Sequence, residues 1–133
     1  MILQCNNHVA SFTREEALQD KEYLPHGNVA LQLPAGVYTF VYDYPLSRVA
    51  TFTEALFPLT TLIDILLLGR THYEAIYAAE ARTSKDPGRV PGLLNRARST
   101  GSYGIWGHDL SDLYFESVEI NPKTKHIEFG IGS

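Results

Sequence analysis

The chain has 133 residues, a single cysteine and a formal charge of −4, with fifteen Asp and Glu against eleven Lys and Arg. This length suits one compact domain spanning 1–133, with a core that needs neither disulfides nor a structural metal. The lone Cys5 excludes an internal disulfide and any cysteine-based zinc pattern, which fits a reducing, cytoplasmic setting, and the acidic balance disfavours nucleic acid as a partner.

The opening residues, MILQCNNHVASF, carry no basic leader ahead of an apolar run, so no secretory signal is expected. Thr13 and Glu16 form a capping-box pattern that predicts a short amphipathic helix over Arg14–Leu24, with Ala17, Leu18 and the stem of Lys21 inward; Pro25, His26 and Gly27 end it. Residues 28–33 alternate, with Val29, Leu31 and Leu33 on one side, and predict a strand. A turn at Pro34–Gly36 leads into a second strand over 37–44, whose Tyr38, Phe40, Tyr42 and Tyr44 share one face. Four aromatics in a row suit either a stacking platform for ring-bearing ligands or the packing surface beneath a helix. The absence of interleaved basic residues favours packing.

Residues 51–82 predict a helical hairpin. Leu59, Leu62, Ile63, Ile65, Leu66, Leu67 and Leu68 make the first helix apolar almost all round, with Pro58 at its first position or kinking a longer helix that begins near Thr53. Gly69 is its expected stop, and Thr71 with Glu74 offers a new capping box for a second helix over His72–Arg82. There Tyr73, Ile76, Tyr77 and Glu80 share a face, while Ala75, Ala78, Ala79 and Ala81 permit close approach of a neighbour. The apolar run near residue 62 is well short of the roughly 18 residues of a membrane span, so no membrane association is expected. Asp64, amid leucines, calls for an arginine partner, Arg70 or one from a loop, or else lines a pocket. His72 falls in the first turn of the second helix, as an exposed helix-start residue or as a partner of Glu80 or Asp109.

Residues 83–110 reverse the local charge, with Lys85, Arg89, Arg96 and Arg98 against Asp86 and Asp109. Asp86-Pro87-Gly88, Val90-Pro91-Gly92 and Thr100-Gly101 break any long helix, leaving about one and a half helical turns over Leu93–Arg98. Gly101, Gly104 and Gly107 then bracket Tyr103, Ile105 and Trp106. Arg96 and Arg98 can grip carboxylate or phosphate, and Tyr103 and Trp106 can anchor a partner at low side-chain entropy cost. In the following cluster, His108 and Asp112 stand i,i+4, suited to sharing a proton or contributing to a metal site, unless Asp109 and Asp112 merely cap a turn. The candidate binding residues are therefore Arg96, Arg98, Tyr103, Trp106, His108 and Asp112.

Leu113–Ile120, a turn at Asn121–Thr124 and a return over Lys125–Ile131 predict a β-hairpin whose second strand presents Ile127, Phe129 and Ile131. The first strand alternates less cleanly. The whole predicts an α+β fold, an antiparallel sheet from two β-hairpins packed against a central helical hairpin with a short N-terminal helix. No nucleophile elbow, P-loop, dinucleotide fingerprint or HExxH sequence is present, so no cofactor, metal or catalytic residue is assigned and catalysis is the minority reading. The leading expectation is a small regulatory protein that recognises a protein partner through the basic, aromatic loop 83–110. The alternative is a binding protein for, or hydrolase acting on, a small anionic metabolite held by Arg96, Arg98, Tyr103 and His108. The sequence leaves the oligomeric state open.

Overall fold

The computed structural model describes residues 1–19, 24, 26–84 and 98–133. Five strands form one sheet in the order β1-β4-β5-β2-β3: β1 Ile2–His8, β2 Gly36–Tyr42, β3 Ala50–Leu56, β4 Tyr114–Asn121 and β5 His126–Gly132. One long helix, α2 (Leu62–Thr83), lies across one face, and a six-residue helix, α1 (Arg14–Gln19), stands beside it. The sheet is mixed rather than antiparallel: β2 runs parallel to β5, while the other neighbours are antiparallel.

The expected helical hairpin is instead this single helix, which runs unbroken through Gly69 and Arg70. Gly69 serves packing rather than termination, because a Cβ there would lie 2.8 Å from Phe129 Cζ and 3.1 Å from Phe115 Cζ. The glycine lets the helix axis settle onto those two rings. Thr71 does not cap a second helix; its hydroxyl donates back to the Leu67 carbonyl at 3.1 Å. The true start lies at Thr61, not at Pro58. The Asp64 N–H donates to Thr61 Oγ1 at 3.2 Å and the Thr61 N–H to Asp64 Oδ2 at 2.9 Å, a reciprocal capping box. Asp64 thus has a structural role at the helix start, and its arginine partner is Arg14 at 2.7 Å rather than Arg70 or a loop arginine.

The alternative start of a longer helix near Thr53 falls instead within β3, and the N-terminal residues, to which the sequence assigned no element, form β1. Conversely, 28–33 is not a strand: only Ala30 forms a bridge, to Thr61, and Gln32 takes a positive φ of 57°. The N-terminal β-hairpin is therefore formed by β2 and β3, paired over seven consecutive positions. β4 and β5 are antiparallel neighbours, joined by a turn in which Asn121 Oδ1 accepts the N–H groups of Lys123 and Thr124. A register shift between Phe115 and Ser117 explains the broken alternation of β4, since it turns Phe115, Val118 and Ile120 all inward.

Tyr38, Phe40 and Tyr42 are buried beneath α2, so the aromatic face of β2 is a packing surface; Tyr44, beyond the strand, is partly exposed. Tyr42 packs edge-on to Tyr73 and stacks on Phe129, which ties helix to sheet. In α1, Ala17 is buried as expected, but Leu18 is exposed, and Lys21 lies outside the described residues. Cys5 is partly buried beside β4, and burial, with a smaller contribution from the Glu116 charge, pushes its thiol up to about 12, so it is a poor nucleophile. No helix among the described residues is long and apolar enough to cross a membrane.

Candidate functional site

The last turns of α2 hold the returning loop 98–106 through Glu80, with Thr83 Oγ1 accepting the Ser102 N–H at 2.9 Å. Glu80 continues the apolar face of Tyr73 and Ile76 and is almost wholly buried. Its carboxylate accepts the N–H groups of Gly101 and Tyr103, each at 2.8 Å, that of Gly104 at 3.3 Å, and the Ser99 hydroxyl. Burial would raise this carboxyl's pKa, but the Ser99 hydroxyl and the backbone donors outweigh it and hold the group below its ordinary value. Ser99 Oγ in turn accepts the Ile105 N–H at 2.8 Å, closing the loop on itself.

The opposite polarity is supplied by the β2–β3 connection. Arg48 Nη1 donates to the carbonyls of Gly101 and Ser102 at 3.0 and 2.9 Å, and the N–H groups of Ser47 and Arg48 donate to the Tyr103 carbonyl. The loop is thus gripped by a carboxylate on its N–H groups and a guanidinium on its carbonyls. Gly104 fits at φ +64°, where a Cβ would crowd Ser47 and the Arg98 side chain.

This clamp presents Arg98 and Trp106 outward. The two residues face each other in an antiparallel bridge, and the guanidinium lies 5.8 Å from the centre of the Trp106 ring, a cation–π pair. Trp106 is 50% exposed. Tyr103 goes the other way, partly buried against the core. Arg96 and the turn expected from Leu93 lie outside the described residues.

His108 and Asp112 come together as their spacing suggested, with Nδ1 3.9 Å from Asp112 Oδ2. The turn between them is a short 3-10 segment, Leu110–Asp112, and Asp112 Oδ2 accepts the Asp109 N–H at 2.9 Å, a capping contact. Tyr77 fixes the segment from the helix by donating to the His108 carbonyl at 2.9 Å. No group of three His, Cys, Asp or Glu side chains suited to a metal ion occurs among the described residues. A cleft of about 250 Å³ lies here, lined by Tyr77, Glu80, Ser99, Ile105, His108 and Asp109 among others. Of the described residues expected to hold a small anion, Arg98, Tyr103 and His108, only His108 lines it, and Glu80 and Asp109 give its wall acidic groups.

A second polar network was missed in the sequence. His72 is neither exposed nor at a helix start; it is buried mid-helix, stacked on Phe52 with ring centres 4.3 Å apart. Its partners are not Glu80 or Asp109. Nε2 lies 2.9 Å from Glu54 Oε1, and Nδ1 meets the Tyr42 hydroxyl. Burial lowers the His72 pKa, against a smaller upward pull from the hydrogen bond and charge of Glu54. A neutral imidazole between a carboxylate and a phenol must carry its proton on Nε2 and accept the Tyr42 O–H at Nδ1. Tyr42 itself is held protonated by burial, reinforced by Tyr73 and Glu54.

No family model, curated protein or solved structure matches the chain.

Proposed function

We propose that the protein is a small interaction module that recognises a protein partner through the outward face of loop 98–106, with Trp106 as anchor and Arg98 beside it. The observation that carries this reading is a half-exposed tryptophan, the chain's only one, on a loop held from one side by the buried Glu80 carboxylate and from the other by Arg48. An exposed ring on a rigid support loses little conformational entropy when covered, which is the property of an interface anchor. Arg98 directs the choice of partner toward a face bearing carboxylates, consistent with a chain that is acidic elsewhere and basic in this loop.

An aromatic photo-cross-linking residue at 106, which keeps a ring at the anchor position, should capture one partner that the same residue at the exposed position 18 does not, and Arg98→Glu should abolish the capture. The purified partner should then change Trp106 emission, since no other tryptophan contributes. Equal capture from both positions, or capture indifferent to Arg98→Glu, overturns the reading.

A further inference from the structure

We propose that the protein self-associates as a two-fold dimer through the free edge of β3, joining two five-stranded sheets into one continuous sheet. This surface is distinct from the Trp106 loop and does not rest on the function proposed for it.

The backbone directions follow from one hydrogen bond. Thr39 N–H donates to the Lys125 carbonyl at 2.8 Å, so the main-chain groups of Thr39 point toward β5. In a strand these groups alternate in direction, so Tyr38, Phe40 and Tyr42 exchange bonds with β3, and their register partners Glu54, Phe52 and Ala50 point back at β2. Thr51, Thr53 and Ala55 therefore turn both N–H and C=O toward the outer edge. Among the described residues no strand pairs there.

Among the described residues this edge lacks the usual guards against strand addition. β3 pairs in unbroken register over its whole length and contains no proline, lysine or arginine, whereas β1 at the other edge is interrupted between Gln4 and Asn7. The one charge of β3, Glu54, is engaged by His72.

The sequence around the edge is complementary to itself. An antiparallel pairing about a two-fold axis through Thr53 sets Thr53 opposite Thr53 of the second copy and Thr51 opposite Ala55, all small side chains on the open face. The same register sets Val49 opposite Phe57 at each end. These two side chains are 61% and 58% exposed in the single chain, and each would be covered by the other twice per dimer. On the helix side Phe52 meets Glu54 of the second copy and Ala50 meets Leu56, so the two carboxylates do not stand directly opposite one another. The outward N–H and C=O groups of Thr51, Thr53 and Ala55 complete the ladder. One strand pair is small as an interface, so the dimer dissociates on dilution.

Sedimentation velocity of the full chain from micromolar to millimolar concentration tests this. The mass should rise from 14.9 kDa toward twice that value. Thr53→Pro deletes only an outward N–H, a change edge strands tolerate, and should leave a folded monomer. Thr53→Lys and Thr53→Asp each set like charges across the axis and should each be monomeric, while an equimolar mixture of the two should dimerise again. Circular dichroism confirms that each variant is folded. A wild-type chain that stays monomeric throughout, a dimer unaffected by Thr53→Lys, or a Lys–Asp mixture that remains monomeric overturns the proposal.

Discussion

Two turns apart on α2, His72 and Glu80 are both buried among polar partners, yet they meet burial in opposite ways. His72 stays neutral, because one phenol and one partly exposed carboxylate cannot offset the loss of water around an imidazolium. Glu80 stays ionised with no cation beside it among the described residues, because a hydroxyl and several N–H groups converge on two oxygens. The number of donors aimed at the group decides the difference. His72 joins helix to sheet, whereas Glu80 joins helix to loop, so the first network holds the scaffold and the second holds the surface proposed to bind.

The largest expected effect comes from removing the ionised group. Glu80→Ala leaves buried N–H groups of Gly101, Tyr103 and Gly104 without acceptors, and at roughly 1–3 kcal/mol per orphaned group the cost should be about 3–5 kcal/mol after local relaxation. Urea unfolding reads the loss, and Trp106 emission at low urea reads whether the loop has loosened before the core unfolds. A variant with wild-type stability would show that the loop does not depend on the carboxylate.

His72→Phe should cost less, about 1–3 kcal/mol, because the new ring can stack on Phe52 while the Tyr42 hydroxyl loses its acceptor. Its sharper use is in separating two pH windows. Both groups have folded pKa values below their unfolded ones, so both contribute stability at higher pH and lose it as pH falls. For His72 the contribution is complete above its ordinary value of 6.5 and declines below it; for Glu80 the decline starts below 4.5. Urea midpoints of the wild type should therefore begin to fall on acidification through 6.5 and fall further below 4.5. In His72→Phe the first decline should vanish and the second remain.

The contrast also shows what could be read in advance. Glu80 left a signal, since it occupied the apolar face with Tyr73 and Ile76 at helical spacing, where a carboxylate must find donors. That its donors would be the backbone of a loop about twenty residues downstream had no counterpart in local pattern. The α+β class was legible from periodicity, and so was the turn chemistry at Asn121–Thr124. Gly69 misled because a helix-stop glycine and a close-packing glycine look alike until Phe115 and Phe129 are in place. The capping box was present at Thr61 and Asp64, nearly three turns before the one expected at Thr71. β1 was hidden by its polar ILQCNNH sequence, and the parallel β2–β5 pairing depends on strand order, which alternation does not encode. Exposure was harder still: nothing local distinguishes Trp106, half open, from Tyr103, turned to the core.

The smallest change in neutral stability should come from Glu54→Gln, and it isolates the His72 side of the comparison. The amide oxygen can still accept from Nε2–H, and the carboxylate it replaces is partly exposed, so the cost at neutral pH should be under about 1 kcal/mol. What disappears is the negative charge that pulls the His72 pKa upward against burial. The folded-state value should therefore drop further while the unfolded value stays put, and the stability lost on acidification grows with that gap. Removing an acid should make the protein more sensitive to acid. Titration of the His72 ring by NMR should show a lower midpoint in the variant, and its urea midpoint should fall more steeply than the wild type's below pH 6.5. An unchanged ring titration would mean that burial alone keeps His72 neutral, and that Glu54 acts only as a hydrogen-bond acceptor.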